Sequence, residues 1–275
     1  MEARSPAEIL AFASDLGVTK AQRKFVSALI LSFFAGAYIA FASQGSSMAA
    51  YNLLANPETF GLGRVLKGAV FGAGLMMVLI AGAELFTGNM LMVISVMDKK
   101  VRVRQMLLSW LLVYVGNLLG SLFIAWMMSQ SGLFNSSGGL LGGMTIRIAA
   151  NKTALPFLSA FLLGIMCNWL VCLAVWMSFG ARDIIGKIFI VFFIIGLFVT
   201  SAFEHSIANM YYIPAGILAK QNPQWVAMSG VAADALAGLS WKGFFIDNLV
   251  PVTLGNMLGG LGLVGVLYRL ALGKK

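Results

Sequence analysis

The stretch "GKIFIVFFIIGLFVT" (Gly186–Thr200) carries one lysine near its start and then no charge at all. It runs without a break into "SAFEHSIANMYYIP" (Ser201–Pro214). A membrane-crossing helix needs about 20 consecutive apolar residues, and several runs of that length recur along the chain. Composition agrees: 60% of the residues are apolar, 11% are charged, and mean hydropathy is +0.89. A soluble domain carries roughly 25% charged residues, so this chain has too little polar surface to remain in water. The expected class is an all-α membrane protein, and a soluble enzyme is excluded.

The net charge of +9 does not require nucleic acid as a partner, because Lys and Arg gather on the cytoplasmic side of membrane proteins. Cys167 and Cys172 lie in one apolar run. At this spacing on a helix they point roughly 140° apart and are expected to pack, not to bridge. With no Cys/His cluster, neither a metal nor a cofactor is expected. The opening "MEARSPAEILAFASDLGVTKAQRKF" lacks the pattern of a signal peptide. "SPAE" instead marks a helix start, with Ser5 as N-cap, Pro6 at the first position and Glu8 closing a capping box. Residues 1–24 are therefore expected as a cytoplasmic amphipathic helix with Ile9, Leu10, Phe12 and Leu16 on its apolar side, serving as a gate or an interfacial anchor.

Six spans are expected, at Phe25–Ala50, Leu62–Met97, Gln105–Gln130, Pro156–Ser178, Ile185–Lys220 and Asp247–Leu272. The second and fifth are too long for one straight crossing. Each has a polar interruption, "AGAELFTGN" and "TSAFEHSIAN". With the N-terminus inside, thirteen Lys and Arg fall on inner segments and six on outer ones, which places both termini in the cytoplasm.

The chain repeats itself. "ELFTGNM" (Glu84–Met90) and "EHSIANM" (Glu204–Met210) are offset by 120 residues, and "GNLLG" (Gly116–Gly120) and "GNMLG" (Gly255–Gly259) by 139. The first and fourth spans show no clear repeat. Two halves of three spans, at about 25–130 and 156–272 within a channel domain of 25–275, imply an inverted 3+3 repeat. Breaks at equivalent places should meet near the midplane, where freed backbone groups are tolerated only inside protein or beside a wet cavity.

One break holds Glu84 and Thr87, the other Glu204 and His205, the only histidine. Ionisable groups at bilayer depth are costly and normally mark a pathway. The glutamates have a plainer role available, accepting hydrogen bonds from freed backbone N–H groups. A buried imidazole can donate a hydrogen bond or lend a proton without holding permanent charge. Asn117 is expected as packing between helices, and Asn256 as packing or site.

"ELFTGN", "CNWLVCLAVWMS" (Cys167–Ser178), "EHSIANM" and "VTLGNMLGG" together resemble the formate/nitrite transporter family, over about Phe25 to Leu270. The resemblance implies an aquaporin-like fold whose second and fifth helices are broken, with one pore per protomer in a homopentamer. It implies a pore centre of His205, Thr87, Asn168, Asn256 and Glu204, a vestibule charge at Lys152, and apolar constrictions. Phe71 and Phe198 match one constriction; Leu75, Leu85, Phe86 and Val171 match the other or the stretch between. The expected cargo is a small monovalent anion (formate, nitrite or hydrosulfide) with protons, passing as the neutral acid after protonation at His205, across the inner membrane.

Two rival readings are set aside by missing features. A neutral-solute pore of the aquaporin or glycerol-facilitator type needs paired Asn-Pro-Ala motifs, and the sequence has none. An intramembrane enzyme would have only Ser206 beside His205, and adjacent helical residues point about 100° apart, so no catalytic residue is expected.

Overall fold

The computed structural model describes residues 2–273, which hold helices and no strand. In chain order the helices are α1 (Pro6–Ala21), α2 (Phe25–Ala55), α3 (Phe60–Ala81), α4 (Gly88–Met97), α5 (Val103–Gln130) and α6 (Ser136–Thr153). There follow α7 (Phe157–Gly180), α8 (Ile184–Thr200), α9 (Ser206–Ala219), α10 (Pro223–Ser229), α11 (Ala233–Gly238) and α12 (Gly243–Leu272). Five of them (α2, α3, α5, α7 and α12) are long and apolar enough to cross a membrane; α4 and α8 are shorter apolar helices. The stretches Leu62–Met97 and Ile185–Lys220, each expected as one interrupted span, are helix pairs: α3 with α4, and α8 with α9.

Polarity is arranged opposite to that of a soluble protein. Phe25, Leu62, Leu111, Leu158, Ile185, Phe193 and Leu270 are all at least 62% exposed, whereas Glu84, Asn117, Asn168, Glu204, His205, Asn209, Asn248 and Asn256 are at most 6% exposed. Apolar side chains facing outward and amides facing inward suit lipid as the surrounding solvent.

The two breaks match bond for bond. α3 ends in a left-handed residue, Gly82, and α8 is followed by another at the equivalent place, Ala202 (φ 64°). A left-handed alanine costs roughly 1–2 kcal/mol. The next amides turn back alike, Ala83 N to Val78 O and Phe203 N to Phe198 O. Glu84 N then donates to Leu31 O, and Glu204 N to Leu163 O. An asparagine from a distant helix closes each break. Asn117 on α5 accepts from Phe86 N (2.9 Å) and donates to Glu84 O and Ser32 O. Asn256 on α12 accepts from Ser206 N (2.9 Å) and donates to Glu204 O and Gly164 O. Asn117, expected as packing, therefore does the same work as Asn256. The glycines of the repeated Gly-Asn motifs bring the helices close enough for this: a Cβ on Gly120 would overlap Phe33 O, and one on Gly259 would overlap Ile165 O.

The first and fourth spans, which show no clear repeat in sequence, also correspond. Leu31 and Leu163 occupy equivalent places at an offset of 132, as do Ser32 and Gly164. α6 fills what was expected as a connection between the halves. Its glycine-rich start and single amphipathic face hide it from a hydropathy reading. It packs against α9 and α10, with Leu141, Ile146, Ala149 and Ala150 buried.

α1 lies against α4, α7 and the end of α12 and buries Ile9, Leu10 and Ala13 in the same core as the long helices. Its capping box is formed: Ser5 N donates to Glu8 Oε2 (2.7 Å) and Glu8 N to Ser5 Oγ (3.4 Å). Asp98 ties α1 to the chain's other end, accepting from Ser14 Oγ (2.6 Å) and from Arg269 Nε (2.5 Å). Burial pushes the Asp98 carboxyl up. The hydrogen bonds from Ser14 and Arg269, with the charges of Arg269 and Lys100, outweigh that and hold it below the usual carboxylate range.

Two predictions follow from these bonds. Asn117→Leu and Asn256→Leu each remove the partner of one buried N–H and two carbonyls, at about 1–3 kcal/mol for each group left unpaired. Either variant should lose monodisperse elution in detergent at a clearly lower temperature than the parent, and unchanged heat resistance would remove the clamp role. A depressed folded-state pKa makes the Asp98 contribution present above its unfolded value, near 3.9, and lost as pH falls below it. Limited proteolysis of α1 should therefore stay slow from pH 8 to pH 5 and accelerate below about pH 4. Asp98→Asn should be cut faster throughout that range.

Candidate functional site

Polar groups converge where α4 and α9 begin. His205 is the N-cap of α9, and its Nδ1 accepts from Ala208 N at 3.1 Å. Its Nε2 lies 2.9 Å from Thr87 Oγ1. A nitrogen that accepts from a backbone N–H carries no proton, so the neutral ring is protonated on Nε2 and donates to Thr87. The Thr87 hydroxyl is then free to donate its own proton elsewhere. Asn168 Nδ2 donates to Thr87 O (3.2 Å) and Asn256 O (2.7 Å), linking the first break to α12, and Cys172 Sγ donates to Thr87 O (3.2 Å). Asn168 Oδ1 and Ser206 Oγ are buried without a partner among the described residues. His205, Thr87, Asn168, Asn256 and Glu204 are thus brought together.

Among the described residues no freed backbone N–H donates to the Glu84 or Glu204 carboxylate. Each carboxylate is held by a lysine and an asparagine, in the same way in both halves. Lys152 on α6 donates to Glu204 (2.7 Å), which also accepts from Asn209 (2.7 Å). Lys20 on α1 donates to Glu84 (2.7 Å), which also accepts from Asn89 (2.8 Å), with Arg23 at 3.1 Å. Lys20 and Lys152 are offset by the same 132 residues, so α1 and α6 end on equivalent lysines. Sequence reasoning missed Lys20, Asn89 and Asn209. The signal was present in "KAQRKF" (Lys20–Phe25) against "KTALPF" (Lys152–Phe157), and in the Asn-Met of both break motifs.

Four cavities share walls in series. A vestibule of about 470 Å³ is lined by Arg64, Lys67, Arg147, Lys152 and Glu204, and it ends at Phe71, Phe198 and His205. Those three also line a small cavity of about 10 Å³, closed by Leu75, Leu85 and Val171. Leu75 and Leu85 in turn line a third space of about 60 Å³ under α1, which reaches Lys20 and Asn89. Through Lys20, Val78 and Leu79 that space meets a second vestibule of about 680 Å³, lined by Arg4, Arg23, Glu84, Arg182 and Lys187. The Phe71 and Phe198 rings meet edge to face at 5.6 Å, and the Phe198 and His205 rings lie 6.0 Å apart. Phe86 does not line this path; it packs on Tyr114 (4.8 Å) and Trp110 (6.4 Å). Among the described residues no cluster of metal-ligating side chains occurs.

The spacing Arg64, Lys67, Phe71, Leu75 and Val78 on α3 gives this path one wall, a single stripe at helical period. Charge occupies its outer end and apolar side chains its inner end. From the vestibule inward the order is cations, then an aromatic narrowing, then the imidazole. The arrangement suits passage of a small polar solute with few donors to offer it.

Known proteins agree with this reading. The family model described as formate/nitrite transporter matches residues 7–270. The chain is 36% identical to the formate channel FocA of Escherichia coli (strain K12) over 265 residues, covering 96% of this chain and 92% of that one. Among solved structures, a pentameric formate channel with formate bound superposes with a TM-score of 0.81 at 36% identity, covering 91% of this chain and 98% of that one. An FNT family ion channel superposes equally well, with a TM-score of 0.81 at 28% identity over 96% and 98% of the two chains. A site built on two matching breaks, a match along nearly the whole chain and this shared fold make the chain a multi-pass membrane protein of the formate/nitrite transporter family.

Proposed function

We propose that the chain conducts formate and other small monovalent anions across the inner membrane as a homopentamer, each protomer using its own pore. Its six spans form an aquaporin-like inverted repeat, and both termini are cytoplasmic. The observation that carries the reading is the row of four cavities that share walls from one cationic vestibule to the other, with His205 lining the smallest of them and Thr87 bonded behind its ring. Formate is preferred because two of the relatives named above are formate channels; nitrite and hydrosulfide share its charge and small size.

The mechanism follows from the cost of charge in a dry constriction. The vestibule cations concentrate the anion, and its water is stripped as it reaches Phe71 and Phe198. Desolvation favours the neutral acid over its anion, and the neutral acid crosses an apolar ring far more cheaply. His205 acts as a fixed donor in this scheme. Losing its Nε2 proton to the solute would require a new proton on Nδ1, and Nδ1 is occupied by the Ala208 N–H. The proton therefore reaches the solute from vestibule water, and the Nε2–H and Thr87 hydroxyl pair orients the acid as it passes. The N-terminal N–H groups of α9 at Ser206 and Ala208 are taken by Asn256 and His205, so they hold the break in shape and do not bind the solute.

Stopped-flow uptake into proteoliposomes tests this with formate, nitrite, hydrosulfide and chloride side by side. Formate flux should rise as pH falls from 7.5 to 5.5, and chloride should pass poorly. His205→Phe, which removes both hydrogen bonds of the ring, should lower formate flux by about 100-fold, and Thr87→Val by about tenfold, the value of one hydrogen bond to a buried polar group. Formate flux with parental rate and pH profile in His205→Phe would remove the histidine from the mechanism.

A further inference from the structure

The lysine that the family resemblance points to, Lys152, is neutralised by its contact with Glu204. Its vestibule has three other cations. Arg64 donates to the carbonyls of Val199 and Thr200 at 2.8–3.1 Å, and Arg147 to Ser229 O at 2.7 Å. Lys67 differs from all of these. It is 9% exposed and lines the vestibule, and among the described residues no carboxylate oxygen lies within 4 Å of it. Its one close partner is the Tyr212 ring, 4.7 Å from Nζ, with Lys152 Nζ 5.5 Å from the same ring. A ring face attracts an ammonium but leaves its charge uncompensated. Lys67 stands one turn before Phe71 on the same face of α3, so its charge sits at the mouth of the aromatic narrowing.

The repeat supplies an independent second instance. Lys187 on α8 stands 120 residues after Lys67, the offset that relates the two breaks, and it lines the opposite vestibule. No ion pair involves it among the described residues. There too the other lysine, Lys20, is held by a glutamate.

We propose that Lys67 and Lys187 are the anion-collecting groups of the two vestibules, and that Lys152 and Lys20 chiefly hold the breaks through their glutamates. In the first vestibule Lys67 Nζ, beside Tyr212 and backed by the field of Lys152, forms a holding subsite for a monovalent anion the size of a carboxylate. This rests on the anion-channel reading above and names the residues that set its apparent affinity. In its ammonium form, which a bound anion favours, Lys67 raises the local anion concentration at this low-dielectric mouth; it does not alter the passage of the neutral acid through the rings.

The test is the concentration dependence of formate uptake into proteoliposomes at low and high ionic strength. Lys67→Gln should raise the half-saturating formate concentration about tenfold, leave the maximal rate within about twofold, and flatten the salt dependence. Lys67→Arg should restore all three. Lys187→Gln should do the same for export from loaded vesicles. Lys152→Gln should instead lower heat resistance in detergent. Assembly of each variant is checked by gel filtration, and Lys67→Met, which keeps the stem over the Tyr212 ring, replaces Lys67→Gln where yield is poor. Parental half-saturation in Lys67→Gln or Lys67→Met, or a fallen maximal rate at unchanged half-saturation, overturns the proposal while the channel reading stands. A parent protein that carries none of the four anions overturns the channel reading instead.

Discussion

Backbone amides that have left a helix must find partners inside the protein, and the architecture is arranged around that demand. At bilayer depth each unpaired N–H or C=O costs several kcal/mol. The chain interrupts two helices and meets the cost with two asparagines on distant helices, Asn117 and Asn256, each bonded to three backbone groups. The close helix approach at Gly120 and Gly259 exists to deliver those amides. With the breaks held open, Thr87 and His205 can face each other across the join.

The glutamates occupy a second tier. Each is buried, and each is bound by one lysine and one asparagine. A buried carboxylate left alone would be strongly unfavourable, so Lys20 and Lys152 belong to the breaks as much as to the vestibules. This places α1 inside the repeat. It is the counterpart of α6, with the same terminal lysine reaching the same kind of glutamate, and its latch through Asp98 to Ser14 and Arg269 holds it there.

The centre is a set of fixed hydrogen bonds. His205 Nδ1 is committed to Ala208 N, Asn168 Nδ2 to Thr87 O and Asn256 O, and Asn256 Oδ1 to Ser206 N. The groups left over are the Thr87 hydroxyl and the Asn168 Oδ1 and Ser206 Oγ atoms. The positive field lies in the vestibules, separated from the centre by Phe71 and Phe198 on one side and Leu75 and Leu85 on the other. In the proposed mechanism, attraction and passage fall to different residues.

Much of this was legible in sequence. Apolar runs declared the class, and the break motifs and Gly-Asn motifs gave the repeat, because the same backbone problem was solved twice with the same residue types. His205, Thr87, Asn168 and Asn256 were located by those motifs and by resemblance. Long-range pairing was not legible. Lys20 meets Glu84 across 64 positions and Lys152 meets Glu204 across 52, and no local period records such a contact. α6 was hidden because one buried face and a glycine-rich start look like a connection. Phe86 is apolar and next to Thr87, yet the turn of the break sends its ring to Tyr114 and away from the path. Sequence by itself determined which residues must avoid water and where the helices had to break, since both are properties of short segments. Only the tertiary structure decided which charges are compensated, because compensation depends on distances between segments that the chain order does not fix.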